Sequence, residues 1–326
     1  MQPERGDARD RSRPKDPPRH VPVLLDEVLH ILAPQPGQTL IDGTVGAGGH
    51  AAALLGASPS THLVGLDLDP RALATATQRL KAFGDRAQLI RGNYRRLPHH
   101  LATLAIEHAD AVLLDLGMSS LQLDDARRGF GFRRDGPLDM RMDPNRDITA
   151  ASLVNHGTPA ELVDLLRNYG EERFARRIVE AVCRERSKAP IETTSQLANI
   201  VRDAIPRRFH RLGSDPATKA FQALRIAVND ELGNLDDGLP AAWSVLRAGG
   251  LLAVISFHSL EDRRVKRFLR QLANPCTCPP GLPECVCGKL PEAEILTPRP
   301  IRPTAEEIAR NPRARSARLR VGRKLP

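Results

Sequence analysis

The fold of this chain is decided by the stretch Thr39-Leu-Ile-Asp-Gly-Thr-Val-Gly-Ala-Gly-Gly-His50. Its apolar start ends in Asp42, a glycine-rich turn follows, and an alanine- and leucine-rich segment of helical character begins at Ala51. This order predicts a strand, a tight turn and a helix. Glycines let the backbone approach a ligand closely, and the N–H groups of a helix start can bind a carboxylate or a phosphate. Similar turns occur in α/β proteins without a cofactor, so this stretch alone leaves cofactor binding open.

Three further apolar runs predict a parallel sheet built around this first strand. Each run is followed by a polar stretch of helical character, and the last run is continuously apolar, as in a strand buried on both faces. The alternation predicts an α/β fold with a doubly wound, Rossmann-like sheet, whose ligand crevice lies at the carboxyl ends of the strands. An amphipathic helix predicted over 20–32 precedes the first strand. The three runs are His62–Asp69, Ala87–Tyr94 and Ala109–Gly117.

Polar side chains fall where the predicted parallel strands end. Asp42 ends the first strand and Asp67 the second, while Tyr94 and Asp115 fall at the ends of the third and fourth. Parallel strands bring their carboxyl ends to one edge of a sheet, so we expect these side chains to meet there. Asp67 follows the glycines by about 20 residues, the spacing at which an acid accepts the ribose hydroxyls of an adenosine cofactor.

The alternation of strands and helices stops after the fourth strand. From Asp124 to Thr218 the pattern is polar and helical, without a convincing strand. An excursion of this length is too long for a loop, and we expect an inserted all-helical subdomain. Its entry, Arg128–Asp143, mixes arginine, glycine and phenylalanine, which is typical of nucleic-acid contact and equally of a structured connector. The candidate helices are 159–169, 171–186 and 195–205.

The α/β pattern resumes with a long helix predicted over Lys219–Leu246 and a fifth strand over Gly250–His258. Ser259 can cap the next helix, with Asp262 following as in a capping box. Two late segments can add a hairpin at one edge of the sheet, and an antiparallel edge favours the methyltransferase variant of this fold over the nicotinamide variant. These segments are 294–301 and 317–322.

Composition limits the class of protein. The 326 residues suffice for one large α/β domain with an insertion, and the net charge of +9 favours a polyanionic partner. Basic residues are concentrated from Arg299 to the end and in two runs, 202–211 and 263–270. We interpret the tail and the run at 263–270 as phosphate contacts, with a solvated surface as the alternative. No apolar run reaches the ~18 residues of a membrane span, and the polar start lacks a signal-peptide core. We therefore expect a cytosolic protein with reduced cysteines.

Seven motifs follow one another along the chain. They are Asp42–His50, Leu114–Asp125, Gly129–Asp143, Tyr169–Arg177, Phe221–Asn229, Ile255–Phe268 and Asn311–Ser316. In this order they resemble the bacterial 16S ribosomal RNA cytosine-N4 methyltransferases.

The resemblance implies S-adenosylmethionine as methyl donor, a class I methyltransferase domain over 20–123 and 219–326, and an inserted helical substrate-recognition domain over 124–218. It implies a decoding-centre cytidine as target and 16S rRNA in the small ribosomal subunit as partner. Residues 1–19, rich in proline, arginine and aspartate, are predicted to form a disordered tail. We expect no membrane or DNA partner, and the oligomeric state stays open.

The resemblance also implies cofactor contacts at particular positions of this chain. The amides of the glycine turn would face the methionine carboxylate, Asp67 the ribose, and Tyr94 an adenine face. Asp115 would face the methionine ammonium or the reacting centre. The side chain of His50 is equally compatible with an ordinary helix start, and no independent physical argument supports Gln122. The positions are Gly48, Gly49, His50, Asp67, Tyr94, Asp115 and Gln122.

The chemistry expected of such an enzyme centres on Asp115. The exocyclic amine of cytosine is a poor nucleophile, so the enzyme must align it with the methyl group, accept hydrogen bonds from its N–H and exclude water. The base must first leave its stack. We assign Asp115 as the acceptor or orienter of the amine, with His258 as second choice. The fourth strand lacks the prolines and aromatic that many amino-methyltransferases carry there, so stacking falls to Phe130, Phe132 or Phe257, or does not occur.

Two cysteine pairs raise the question of a metal. Cys276 and Cys278, and then Cys285 and Cys287, stand in a segment rich in proline and glycine, and four thiolates can hold a tetrahedral zinc. The pairs lack the usual two-residue gap, so we assign no metal ligand and keep a structural zinc as the alternative. Cys183 stands apart on a predicted helix.

Three other classes of protein compete with this interpretation. A zinc nucleobase deaminase is excluded, because the H-x-E and P-C-x-x-C patterns are absent. A nicotinamide dehydrogenase shares the glycine turn and the ribose acid but does not explain the basic tail. A non-catalytic RNA-binding protein explains the charge and leaves the cofactor crevice unexplained. Heat stabilisation by S-adenosylmethionine separates that last case from an enzyme.

Overall fold

The computed structural model of the protein describes residues 22–210, 213, 215–279 and 286–326. The predicted disordered tail at 1–19, the first two residues of the predicted helix at 20–32, and Cys285 lie outside the described residues. Within those ranges, every helix is too short or too polar to cross a lipid bilayer.

Seven strands in the described residues form one mixed sheet. They are β1 (Thr39–Asp42), β2 (His62–Asp67), β3 (Ala87–Arg91), β4 (Ala109–Asp115), β5 (Leu246–Ser256), β6 (Ala293–Ile295) and β7 (Arg318–Lys324). Their order is β3-β2-β1-β4-β5-β7-β6. The first five strands pair in parallel, and β7 pairs antiparallel with both β5 and β6. This order confirms the predicted doubly wound α/β sheet and its antiparallel edge.

The described residues also form thirteen α-helices. They are α1 (Leu25–Leu32), α2 (Gly49–Ala57), α3 (Pro70–Leu80), α4 (Leu97–Thr103), α5 (Ser120–Asp124), α6 (Ala150–His156), α7 (Pro159–Asn168), α8 (Ala175–Arg186), α9 (Thr194–Ala204), α10 (Thr218–Asn229), α11 (Glu231–Ser244), α12 (Ser259–Ala273) and α13 (Ala305–Arg310). α3 begins at Pro70, as predicted, with Asp69 as its N-cap. The sequence did not predict α6, because a helix of two turns is too short to show a clear apolar periodicity.

Both faces of the sheet are covered, which explains the continuously apolar strands. Along β4, Leu113 faces one hydrophobic cluster with α1 and α2, while Leu114 faces a second cluster with α4, α11 and α12. Both leucines are fully buried. Successive residues of a strand point to opposite faces, so a strand covered on both sides must be apolar throughout.

A third hydrophobic cluster joins helices α6 to α10, which lie between β4 and β5 in the chain. Phe130, Leu138 and Met140 from the preceding segment belong to the same cluster. These helices pack mainly on one another, with α7 against α8 and α8 against α9. The helical segment therefore has a core of its own beside the two cores of the sheet.

The structure corrects the predicted helix over Lys219–Leu246, which is two helices. Asp230 takes a left-handed conformation, with φ 50° and ψ 43°, and ends α10 where α11 begins. The apolar periodicity continues across this residue, so the break leaves no trace in the pattern. The chain after α11 enters β5 at Leu246, four residues before the predicted strand start.

The predicted cap of α12 is also wrong. The N-cap is His258 and not Ser259, and its capping-box partner is Glu261 and not Asp262. Ser259 instead donates a hydrogen bond of 2.6 Å to Glu171. The two possible N-caps, His258 and Ser259, are neighbours in the sequence. Serine is a common N-cap and histidine is not, so the sequence favoured Ser259.

Candidate active site

A cleft of about 970 Å³ opens at the carboxyl ends of β1, β2 and β4. The glycine turn after β1 and the ends of β2 and β4 line one part of it. Arg128, Met142 and Asn229, from the helical segment and its connections, line another part. Polar residues that are far apart in sequence meet here, as the parallel topology predicted.

The glycine turn adopts a conformation that side chains would oppose. Gly46 and Gly48 have φ values of 52° and 75°, in the left-handed region. A Cβ on Gly43 would lie 2.5 Å from Leu114, too close for a real contact. α2 begins at Gly49, and the N–H groups of its first turn have no partner within the helix. Because Gly49 lines the cleft, this helix start could hold a carboxylate.

Asp67 at the end of β2 is held by the backbone of two turns. Its Oδ2 accepts a 2.9 Å hydrogen bond from the N–H of Gly46, and its Oδ1 accepts one of 2.8 Å from Asp69. Burial raises the pKa of Asp67 to about 6. Each carboxylate oxygen can accept a second hydrogen bond, so Asp67 could receive both hydroxyls of a ribose.

Asp115 at the end of β4 stands at the centre of the cleft. Its N–H donates a 2.6 Å hydrogen bond to Oγ1 of Thr44. Its Oδ2 lies 3.6 Å from Nδ1 of His50, while its Oδ1 is buried without a hydrogen-bond partner among the described residues. Burial, and then the negative charges of Asp42 and Glu261, raise the pKa of Asp115 well above its usual range. An unpartnered buried oxygen is costly unless a ligand donates to it.

The side chain of His50 makes contacts beyond the start of α2. Its ring is buried, and Nε2 lies 2.9 Å from the carbonyl of Val23. A carbonyl only accepts, so Nε2 carries a hydrogen and Nδ1 faces Asp115. The imidazole thus connects the segment before α1 to the carboxylate at the centre of the cleft.

Gln122 is buried and belongs to a clamp in the wall of the cleft, a set of bonds that Asp69, Gln122 and Arg128 form. Its Oε1 and N–H complete a capping box with Ser119, and its Nε2 donates a 3.1 Å hydrogen bond to Asp69. Arg128 donates to the same Asp69 oxygen at 2.6 Å, and also to the carbonyls of residues 141 and 142. The clamp joins the start of α3 to the entry of the helical segment. Sequence analysis missed Asp69 and Arg128, although an acid directly before Pro70 is an N-cap signal.

Asn229 at the end of α10 fastens the same entry segment. Its Nδ2 donates a 2.8 Å hydrogen bond to the carbonyl of Met140, and its Oδ1 accepts one of 2.7 Å from the N–H of Met142. Met140 has a φ of 64°, unusual for a residue with a side chain. These two hydrogen bonds hold the strained segment beside the cleft, a role that no sequence motif indicated.

The aromatic candidates differ in position. Tyr94 lies in a turn beyond β3, lines the cleft, and packs its ring against Gly238 of α11. Burial, and then nearby acids, raise the pKa of Tyr94. Phe130 is buried in the helical core, and Phe132 packs edge-on against Phe221. Of the three phenylalanines proposed for stacking, Phe257 is the one that lines the cleft.

His258 lies behind the cleft wall and is not among the residues that line it. Its Nε2 is 3.2 Å from Oε1 of Glu261, which does line the cleft. Burial acts to raise the pKa of Glu261, but the hydrogen bond to His258 and the charges of His258 and Arg225 lower it. His258 therefore positions Glu261 and has no direct access to a ligand in the cleft.

Several basic residues predicted to bind phosphate are engaged within the protein. Arg320 is buried and pairs with Asp262 at 2.6 Å, and Arg318 pairs with the same acid. Arg263 of α12 lies 3.1 Å from Glu171. Arg318 and Arg320 belong to β7, where they fasten α12 to the sheet, so this part of the basic tail serves the fold.

Comparison with known proteins identifies the family of this chain. The family model described as "MraW methylase family" matches residues 18–325. The chain is 53% identical over 307 residues to "Ribosomal RNA small subunit methyltransferase H" of Symbiobacterium thermophilum, covering 94% of this chain and 96% of that protein. It is 50% identical to the protein of the same name in Heliobacterium modesticaldum, covering 94% and 98%.

Among solved structures, the chain is similar to an rRNA methylase from Streptococcus thermophilus, with a TM-score of 0.42 and 13% identity, covering 92% of this chain and 95% of that one. The fold assignment itself rests on the strand order and its antiparallel edge. With the family model matched over nearly the whole chain, the chain belongs to the MraW methylase family, whose methyl donor is S-adenosylmethionine.

Proposed function

We propose that this protein transfers the methyl group of S-adenosylmethionine to the exocyclic N4 amine of a cytidine in the decoding centre of 16S rRNA. The observation that carries the proposal is the position of Asp115, which ends β4 and lines the cleft with its side chain 25% exposed. The names of the relatives support small-subunit rRNA as substrate. The seven motifs of the sequence support cytidine N4.

One side of the cleft fits the methyl donor. When bound, S-adenosylmethionine supplies a methyl group already activated on a sulfonium. The N–H of Gly49 at the start of α2 would hold its carboxylate, Asp67 would accept the ribose hydroxyls, and Tyr94 would flank the adenine. Gly48 does not line the cleft, and its N–H donates a 2.7 Å hydrogen bond to the carbonyl of Val45, so Gly48 shapes the turn. His50 and Gln122 act indirectly in this assignment, because their side chains position Asp115 and Asp69.

Asp115 serves the other substrate. Its carboxylate accepts a hydrogen bond from the N4–H of cytidine and so fixes the amine in line with the methyl group. Methyl transfer to N4 would release one of its protons, and the Asp115 carboxylate would take that proton. Phe257, beside Gly117 at the rim, offers a face for the displaced base.

The helical segment supplies a basic and aromatic surface for RNA, and we assign 124–218 as the substrate-recognition domain. Phe209 is 36% exposed, and the guanidinium of Arg173 lies 4.1 Å from the centre of its ring. Arg208 lies 5.0 Å from the same ring, and Phe174 packs against it. Arginine planes and aromatic rings side by side are the surfaces on which unstacked bases stack.

The experiment supplies labelled S-adenosylmethionine with one of three acceptors: small ribosomal subunits lacking the modification, naked 16S rRNA, or DNA. We expect label in the subunits or their RNA, and none in DNA. Label in DNA alone contradicts the proposed substrate. If the protein binds S-adenosylmethionine tightly but labels none of the three acceptors, the result contradicts the proposal that small subunits or their rRNA are the substrate.

A further inference from the structure

The connection between α12 and β6 contains four of the five cysteines of the chain. It runs from Asn274 to Glu292, and its described parts, 274–279 and 286–292, contain no helix or strand. It begins where α12 ends, and Glu292 donates a 2.9 Å hydrogen bond to the carbonyl of Leu272. Both ends of the connection are therefore fixed to the fold.

The cysteines of this connection converge. The Sγ atoms of Cys276, Cys278 and Cys287 all lie within 4.8 Å of one another. A tetrahedral zinc with Zn–S distances of about 2.3 Å places its sulfur ligands about 3.8 Å apart. The three thiols therefore need to move by only about 1 Å to share one ion.

A backbone contact supports the same arrangement. The N–H of Val286 donates to Sγ of Cys278 at 3.4 Å. An amide hydrogen bond to sulfur orients the cysteine side chain. Val286 precedes Cys287, so this bond holds Cys287 close to Cys278.

Hydrophobic burial does not explain the convergence. The large apolar side chains of the described part, Val286 and Leu290, are 77% and 80% exposed. Closing a loop of this length costs conformational entropy, which exposed side chains do not offset. Apart from the hydrogen bond between Glu292 and Leu272, the contacts described between the two parts of the connection are those of the cysteines.

We propose that Cys276, Cys278 and Cys287 bind a zinc ion that cross-links this connection. Binding forms three Zn–S bonds and releases the thiol protons to solvent, with no change of oxidation state. With three protein ligands, a water molecule can take the fourth position of the tetrahedral ion. The ion fixes the chain that enters β6, the outer strand of the antiparallel edge.

The test measures zinc in full-length protein purified without chelator and without a metal-affinity tag. We expect about one zinc per chain, the stoichiometry of a structural site. Cys278→Ser and Cys287→Ser should lose it, while the matched control Cys183→Ser on α8 should retain it. Zinc retained by both ligand variants, or absent from wild-type protein after supply of zinc under reducing conditions, overturns the proposal.

A second measurement remains valid if the cysteine variants fail to fold. Wild-type protein is stripped of metal, and cobalt(II) is added under reducing conditions. The proposal predicts the sulfur-to-cobalt charge-transfer band and the intense visible bands of a tetrahedral thiolate site, which zinc then abolishes. The weak spectrum of an octahedral oxygen site, or cobalt uptake that added zinc does not reverse, overturns it.

Discussion

His50 and Asp115 face each other at the centre of the cleft, with Nδ1 of the histidine 3.6 Å from Oδ2 of the aspartate. The hydrogen bond from Nε2 to Val23 fixes the ring, so Nδ1 is the atom presented to the carboxylate. The fixed ring limits where the Asp115 carboxylate can lie, and 25% of the Asp115 side chain stays exposed at the cleft. His50 therefore positions the residue that we assign to the chemistry.

Removal of this acceptor should abolish most of the turnover. For Asp115→Ala we expect kcat to fall by roughly 10²-fold or more, the usual contribution of a positioned proton acceptor. Asp115→Asn keeps the shape but loses the charge and the basicity, and should be nearly as slow. Single-turnover methylation with saturating cofactor measures the change. If either variant turned over at the wild-type rate, the assignment of Asp115 as the acceptor for the N4 amine would be contradicted.

Cofactor affinity should depend on pH through Asp67. Burial raises the pKa of Asp67 to about 6, so its carboxylate is protonated below that pH and ionised above it. Only the ionised form accepts hydrogen bonds fully at both oxygens, so affinity should rise as pH increases from 5 to 7. Calorimetric titration with S-adenosylmethionine measures this.

Asp67→Asn provides the matched control, since the amide fills the same space and does not titrate. Its affinity should be lower than that of the wild type at pH 7 and nearly constant with pH. A wild-type profile that stays flat between pH 5 and 7, or a variant profile that retains the slope, would contradict the role of Asp67.

Arg128 should matter far more for stability than its neighbour. Its side chain is 14% exposed and bonds Asp69 and two backbone carbonyls, whereas Arg127 is 79% exposed and pairs with Asp125. Arg128→Ala leaves Asp69 buried without its cation, and we expect a loss of about 3 kcal/mol in the free energy of unfolding. Denaturant unfolding should show no measurable change for Arg127→Ala. Equal effects of the two substitutions would argue against the clamp.

The surface around Phe209 should bind RNA and not the cofactor. For Phe209→Ala or Arg173→Ala we expect roughly tenfold weaker binding of 16S rRNA, about the contribution of one stacked base. Affinity for S-adenosylmethionine should not change. Arg247→Ala, at the amino-terminal part of β5, is the control for loss of one exposed arginine. An equal loss in this control would assign the effect to net charge and not to the surface.

Much of the sheet was predictable, because local pattern determines it. Apolar runs that end in Asp42, Asp67 and Asp115 identified three strands and their shared edge, since topology alone brings the ends of parallel strands together. Helices α7, α8 and α9 were within four residues of their predicted bounds, because their apolar faces repeat regularly. Positions that follow from backbone periodicity are accessible from sequence.

Contacts between distant side chains were not predictable. The bond between Asp69 and Arg128 joins positions 59 residues apart, and no local pattern pairs them. The break at Asp230 depends on one backbone conformation that an aspartate can adopt without a sequence signal. The strand predicted over Ala87–Tyr94 is shorter than expected, because β3 stops at Arg91 and Tyr94 lies in the turn that follows.

The central claim is tested most directly by identifying the product nucleoside. Small subunits lacking the modification are incubated with the pure protein and isotopically labelled S-adenosylmethionine, and the rRNA is digested to nucleosides for mass spectrometry. The account predicts label in N4-methylcytidine, formed by the wild type and lost in Asp115→Ala. Label in a carbon-methylated cytidine, a ribose-methylated nucleoside or a purine would contradict it.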